Sequence, residues 1–554
     1  MELILVVGAA IVIAAMAHRR GLEPALVIVV VGIAASFAPD FEPPELDSHI
    51  LLTLVLPPLL YSAALNFSFP TFRRNIRPIL GLGVGLVVIT AFTVAVLSDR
   101  LDAVPMTFAV ALVLGAIVAP PDAVTAVAVG RKLGLPRRVM AILTGESLIN
   151  DAAALTLFSV AVAHVAGEHI FIENPALLFG YSAAVGPLVG VALGYLTLWI
   201  RKHLDNPGLE TAQGLLAPFA AYILAEQAQA SGVLAVVAAG FVVGNGTVGA
   251  HYKTRLQERY VWDSLDVLLE AFVFAYIGLN LRFVLQELNE AHDSVLHVAV
   301  ASLLVLVIVL VVRPASVFLM FGRRKLTDQA RDRVPLPTVE NGESGRRLRW
   351  RAIRRRTDLQ TLSWQESVVV SWTGMRGVVT LAAAAAIPVT TASGEPFPER
   401  AAIQAIAFTV TVGTLLLQGS TLPALIRRLG VREDAEAEAA ELRAAAAVAQ
   451  TAAAGVLDEF RANPPVGLDP QSVDSISATI TRQSGDAENA PDPDQHTPRT
   501  LVYIRLYRKV LRAQRAALIA ERDAGNIEDE VTRTMLDRLD LQEAGVSARL
   551  QSRL

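Results

Sequence analysis

The sequence predicts an all-α membrane protein of about thirteen transmembrane helices, built as two inverted six-helix repeats with broken crossing helices and followed by a helical C-terminal domain. Three observations carry this reading. The 554 residues are 53% hydrophobic with positive mean hydropathy, and the apolar residues gather in charge-poor runs of about 18–25, the length that crosses a ~30 Å hydrocarbon core. The loops between the runs alternate in sign. Two runs at corresponding places in the two halves are interrupted by proline or glycine.

The spans fall near 3–17, 22–38, 50–65, 78–97, 107–130, 139–166, 175–200, 211–229, 233–248, 264–281, 294–320, 366–388 and 401–425. Met1-Glu2-Leu3 lacks the positive leader of a secretory signal, so the first run reads as a retained helix. Arg19-Arg20, Arg73-Arg74 with Arg77, Arg131-Lys132 with Arg137-Arg138, Arg201-Lys202, and Lys253, Arg255 and Arg259 occupy every second loop. Loop 321–365 is denser still, with Arg354-Arg355-Arg356. The intervening loops carry Asp40, Glu42 and Glu45, then Asp99 and Asp102, then Glu168 and Glu173. Basic loops stay cytoplasmic, which puts the N-terminus outside and the C-terminus inside a plasma (inner) membrane. Loop 321–365 reads as a solvated topogenic loop, with lipid headgroups as the alternative contact.

The transmembrane domain is expected over 1–430 and a cytosolic helical tail over 431–554. In the tail, 433–462 is rich in Ala and Glu and reads as helix. Residues 463–499, with Pro-Pro, Gly, Ser and acids, read as linker. Residues 500–550 return to helix, with Ile527, Val531, Leu536, Leu539 and Leu541 as its apolar spacing. The net charge of −4 constrains little. The absence of cysteine excludes disulfides, thiolate metal sites and cysteine nucleophiles. No HExxH or GxSxG motif appears, and His164 is the only histidine well inside a span after the first, which disfavours an intramembrane hydrolase. No cofactor and no nucleic-acid partner is expected.

The chemistry lies where charge enters the apolar runs, because an ionisable group at that depth costs several kcal/mol and marks function. Pro120-Pro121-Asp122 interrupts the fifth span. Two prolines cannot donate and clash with the preceding turn, so the helix opens and frees carbonyls, as is tolerated only inside protein or beside a cavity. Asp122 then sits near the start of the second half-helix, whose dipole favours a carboxylate; a plain kink with a capping Asp is the structural alternative. In the sixth span, Gly145-Glu146-Ser147-Leu148-Ile149-Asn150-Asp151 places Ser147 and Asp151 four apart, on one face. Glu146 and Asp151 are five apart, roughly 140° around the helix, and serve different partners. Oxygens from Asp122, Asp151, Ser147 and freed carbonyls suit a hard cation. A carboxylate withdrawn from water holds a proton more readily, so proton and cation can compete for it. In the twelfth span, Gly374 and Gly377 flank Arg376. A buried arginine stays charged and needs a partner; Glu146 is the candidate, with capping of freed carbonyls or snorkelling as alternatives. With spans 1–6 and 8–13 as repeats, the two broken helices correspond, the strongest sequence pointer to a midplane transport site.

These segments, with Gly278-Leu279-Asn280, Val312-Arg313-Pro314 and Gln418-Gly419-Ser420-Thr421-Leu422-Pro423, resemble the bacterial members of the monovalent cation:proton antiporter-1 family, relatives of the animal sodium/proton exchangers. Glu521-Arg522-Asp523-Ala524-Gly525-Asn526-Ile527 is similar to their tails. The resemblance implies a homodimer in membrane lipid, a mobile core and elevator-like exchange at Asp151. It implies that Asn150-Asp151 replaces the Asp-Asp pair of electrogenic relatives, and that Glu146 and Arg376 form a structural ion pair. Two departures stand out: Pro121 occupies a position where some members have Thr, and Pro57-Pro58-Leu59-Leu60 is followed by Tyr61 and Ser62 where some have an acid.

The expected mechanism has ionised Asp151 holding sodium with Asp122, Ser147, the neighbouring Asn150 and the Pro121 carbonyl, and releasing it on protonation. One carboxylate serving both ions predicts electroneutral 1:1 exchange. Lithium or potassium would use the same ligands. A potassium/proton or electrogenic antiporter, a sodium-coupled symporter and a cation channel are the competing readings.

Overall fold

The computed structural model describes residues 2–38, 51–100, 104–122, 124–167, 172, 174–204, 206–247, 252–290, 294–332, 362–433, 435–465, 468–485 and 498–551. Asp40, Glu42, Glu45, Asp102, Glu168, Glu173 and Arg354-Arg355-Arg356 lie outside the described residues, as do 333–361 of the basic loop and 486–497 of the expected linker.

Every regular element among the described residues is helical; one isolated bridge joins Thr390 and Pro396. In chain order they are α1 (Glu2–Arg19), α2 (Pro24–Ser36), α3 (Leu56–Asn66), α4 (Phe69–Arg74), α5 (Ile76–Leu80), α6 (Val87–Ser98), α7 (Phe108–Val118), α8 (Val124–Leu133), α9 (Arg137–Ala166), α10 (Pro175–Arg201) and α11 (Pro207–Gln227). There follow α12 (Gly232–Thr247), α13 (Tyr252–Leu279), α14 (Leu281–Glu290), α15 (Val295–Asp332), α16 (Trp364–Trp372), α17 (Val378–Ala385), α18 (Arg400–Leu429), α19 (Ala435–Ala462), α20 (Pro470–Gly485), α21 (Pro498–Asp523) and α22 (Asp529–Gln551). π-helical turns at Leu51–Val55 and Gly81–Leu86 lead into α3 and join α5 to α6.

Six helical stretches among the described residues are long and apolar enough to cross a membrane: Ile76–Asp99, Arg137–Ala166, Leu177–Arg201, Tyr252–Glu290, Val295–Phe321 and Arg400–Leu429. Shorter apolar helices occupy Ile4–Arg19, Pro24–Ser36, Thr53–Asn66, Phe108–Val118 and Gly232–Gly246. Local signals set several ends. Pro24 opens α2 at a position that has no intrahelical acceptor to lose. Ser363 and Glu366 close a capping box on α16, at 3.1 and 2.6 Å. Gly167 and Gly430 stop α9 and α18 in the left-handed region, at φ 70° and 64°.

The chain forms two compact units: Met1–Val248 with Tyr260–Arg432, and Gly249–Arg259 with Glu433–Leu554. In the first, α9 borders four apolar cores, one of them through Ala153 and Ala154 against Val87, Ala91 and Ala119. Ile142 and Leu143 pack with Val29, Phe274, Val370 and Leu422. Phe158 and Ala161 join α7, α15 and α18 through Val113, Val305 and Ile406. Leu148 and Ala152 meet Tyr61, Ala221, Val236 and Trp262. Packing against these cores holds α9, the helix that bears Glu146 and Asp151.

In the second unit, Ala445, Ala449 and Leu457 of α19, Val510 and Leu518 of α21, and Val531, Met535 and Leu539 of α22 are buried. Of the expected apolar face, Ile527, Val531, Leu536 and Leu539 are buried but Leu541 is 57% exposed; two residues past Leu539, it points to the far side of the helix. Two boundaries differ from the sequence reading. The linker 463–499 contains α20, whose Val473, Ile476 and Ile480 are buried. The segment Gly249–Arg259, which includes the start of α13, groups with the tail and not with the apolar helices.

Candidate ion-exchange site

The site begins with two interruptions. Between α7 and α8 the chain passes Pro120 and Pro121, which offer no N–H, so the carbonyls of the preceding turn lose their helical donors. Between α16 and α17 it passes Thr373 to Gly377 in extended or irregular conformation. The breaks satisfy one another. Arg376, 2% exposed, donates from Nε to Val118 O at 2.9 Å, from Nη2 to Ala119 O at 3.3 Å, and from Nη1 to Gly374 O. Asp122 N–H donates to Met375 O at 2.6 Å. Arg376 N–H donates to Thr414 Oγ1 at 3.0 Å, tying the second break to α18.

Gly377 is required by contact rather than by its own dihedral angles: a Cβ there would run into the side chain of Asp122. Without one, the Asp122 carboxylate nestles against the opposite break.

α9 supplies the remaining groups. Asn150, fully buried, donates from Nδ2 to Pro121 O, and its Oδ1 is buried without a hydrogen-bond partner. Asp151 is 8% exposed. It lies within the electrostatic field of Asp122 and makes no ion pair or hydrogen bond with a protein group among the described residues. Ser147 is half-buried one turn earlier on the same helix. The structure therefore draws Pro121, Asp122, Asn150 and Asp151 to one place, with Ser147 on the adjoining turn. The Asp151 carboxylate and the Asn150 Oδ1, neither hydrogen-bonded to a protein group among the described residues, make a setting for a small hard cation.

The expected ion pair of Glu146 with Arg376 is not formed; Arg313 takes its place. Glu146, 1% exposed, takes Arg313 of α15 in two bonds, Nη1 to Oε1 at 2.5 Å and Nη2 to Oε2 at 3.0 Å. Arg313 also donates from Nε to Val370 O at 3.1 Å. Arg376 feels the charges of both Arg313 and Glu146, but its donors go to the carbonyls. The physical reason is supply: the broken helices leave several acceptors beside Arg376, whereas Arg313 sits in the most apolar of the long helices and needs an acid. Its place in that run was the available signal.

Two further acids escaped the sequence reading. Asp266 of α13 accepts from Ser62 Oγ of α3 at 2.6 Å. Glu270, one turn on, lies within the fields of Asp266 and Asp122. Their four-residue spacing inside a predicted span was the signal.

With opposed broken helices, a buried acid and a buried arginine–glutamate pair, the molecule has the construction of a secondary transporter. The chain belongs to the sodium/hydrogen exchanger family, whose transmembrane region matches residues 4–428; members move ions and are not enzymes. An uncharacterized sodium/proton exchanger of Mycobacterium tuberculosis is 32% identical over 98% of this chain and 95% of its own. A sodium/proton antiporter of Aphanothece halophytica, ApNhaP, is 28% identical over 75% of this chain and 71% of its own. The structure of the sodium proton antiporter MjNhaP1 from Methanocaldococcus jannaschii shares the fold, with a TM-score of 0.57 and 18% identity over 77% of this chain and 97% of that one.

Proposed function

We propose that this protein exchanges sodium for protons, one for one, at Asp151. The observation that supports it is the buried Asp151 carboxylate, which makes no ion pair or hydrogen bond among the described residues, beside Asp122 and the Asn150 Oδ1, which is likewise without a hydrogen-bond partner there. Ionised Asp151 holds the cation with Asp122, Ser147, Asn150 and backbone oxygen from the Pro121 turn; protonated Asp151 lets it go. Only a loaded site changes access, so the fluxes are coupled. The protein works as a homodimer in the plasma membrane, with thirteen spans in two inverted repeats, the N-terminus outside and the C-terminal tail in the cytosol. The names of the relatives support sodium over potassium.

The test is proton flux in proteoliposomes driven in turn by sodium, lithium and potassium. Sodium should elicit saturable proton movement, and Asp151→Asn should abolish it while the protein keeps its wild-type elution profile and melting temperature. Retained pH-dependent exchange in that variant would falsify the assignment of Asp151.

A further inference from the structure

Thr380, in the first turn of α17, is 1% exposed, and its Oγ1 has no hydrogen-bond partner among the described residues. A buried hydroxyl left in this way is costly, and each case in a native fold calls for a reason. The other buried threonines around the second break behave differently. Thr373, Thr411 and Thr414 each return the hydroxyl to a carbonyl three or four residues back, at 2.9, 2.8 and 3.1 Å, the usual local bond of a threonine in a helix. For Thr380 the residues three and four back are Gly377 and Arg376. Both belong to the break, before the helix begins at Val378.

The place of Thr380 on the helix gives its hydroxyl an address. Gly377 is the N-cap of α17, and Thr380 follows it by three. Side chains on a helix lean toward its N-terminus, and the third residue reaches back to the cap, as it does in a capping box. The cap residue here has no side chain; the Asp122 carboxylate fills the space of its missing Cβ. The Thr380 hydroxyl is therefore directed at Asp122 without bonding to it. α17 also packs against α9, whose Asn150 Oδ1 is likewise buried without a partner among the described residues. Oxygens that converge without bonding one another stand as the ligands of one hard cation do. We propose that the Thr380 hydroxyl is a further oxygen ligand of the transported cation. This rests on the exchange reading above. The first break and α9 supply charge, and Thr380 supplies a neutral oxygen from the second break, so a bound cation ties both broken helices to α9. Losing that oxygen weakens sodium without adding or removing a titrating group.

The test uses the full chain, in proteoliposomes for the KM for sodium and in detergent for melting. Thr380→Val keeps the shape and drops the hydroxyl. It should raise the KM at least about tenfold, the scale of a contact between a polar group and a charge, at a nearly unchanged maximal rate. Thr380→Ala should repeat the loss, and Thr380→Ser, which keeps the hydroxyl, should keep the low KM. Sodium should raise the melting temperature of the wild type, as a ligand of the folded state does, and Thr380→Val should need at least about tenfold more sodium for the same rise. Without sodium Thr380→Val should melt no lower than wild type, because a methyl group replaces an unpartnered hydroxyl. Protons compete for Asp151 and not for Thr380, so the fold-change in KM should be the same at every pH. A wild-type KM in Thr380→Val and Thr380→Ala overturns the proposal. So does a sodium-free melting temperature that falls in Thr380→Val, which assigns the hydroxyl to the fold, or a fold-change that varies with pH, which assigns it to the protonation of a carboxylate. Asp151→Asn run alongside keeps the two readings apart: if it still exchanges, the site assignment fails; if it is inert while Thr380→Val behaves as wild type, the Thr380 proposal alone fails.

Discussion

Glu146 and Asp151, two acids on one helix, meet opposite fates, and the difference is one of neighbours. Glu146 is neutralised by the fork of Arg313, which also holds the Val370 carbonyl. Asp151 makes no ion pair or hydrogen bond among the described residues, which suits the exchange role proposed for it. For the buried pair, removing one partner costs about 3–5 kcal/mol. Glu146→Ala and Arg313→Ala should each lower the melting temperature and the folded yield, and the double variant should lose less than the sum, because both charges leave together. Glu146→Ala with Arg376→Ala should instead be closer to additive, since the donors of Arg376 cap carbonyls. Melting curves in detergent decide between the pairings; additive losses for Glu146 and Arg313 would sink this one. The angular separation of Glu146 from Asp151 was legible, because helical geometry alone sends residues five apart to different faces. The partner was not legible. Two intramembrane arginines were available, and the choice between them turns on how many freed carbonyls each one meets, which only the fold decides.

At the level of elements, the two breaks act as one construction. Pro120-Pro121 and the glycines around Arg376 announce where each helix opens. That the openings face one another, with Asp122 N–H on Met375 O and Arg376 on Val118 and Ala119, depends on contacts across some 250 residues of chain, for which no local pattern exists. The tightest point is Gly377 on Asp122. Gly377→Ala forces a methyl group into the Asp122 side chain, and overpacking of this kind typically costs about 1–3 kcal/mol. The expected outcome is a lowered melting temperature and a severe loss of sodium-driven proton flux. Adding Asp122→Gly should recover the stability by clearing the collision, but not the flux, because the cation ligand proposed at Asp122 is gone. Recovery of both would show that Asp122 only fills space. The tail gives the converse lesson. Val473, Ile476 and Ile480 carry the three-and-four spacing of a buried helix face, yet Ser, Asp and Thr between them, next to a Pro-rich stretch, resemble linker by composition.

The whole molecule must decide how much charge crosses the membrane in each cycle. Glu146 is compensated by Arg313, so that pair carries no net charge. Asn150 cannot titrate, and its amide is committed to the Pro121 carbonyl. Asp122 adds nothing if its protonation is the same with sodium and with proton aboard. Asp151 alone then changes its load, and the site travels with the same charge in both directions. On the proposed mechanism, exchange of one sodium for one proton follows, and the membrane potential does no work on it. A cycle moving one extra proton would instead gain about 2.3 kcal/mol per 100 mV, which shifts the equilibrium sodium gradient by more than about tenfold. Proteoliposomes held at equal pH on both sides, with a potassium diffusion potential imposed through valinomycin, make the contrast large. Sodium should not accumulate, and the rate of proton-coupled sodium uptake should be the same at either polarity once passive leak is subtracted. Sodium accumulation that follows the potential, and disappears in Asp151→Asn, would mean that a second group, with Asp122 the nearest acid, also changes its proton during the cycle.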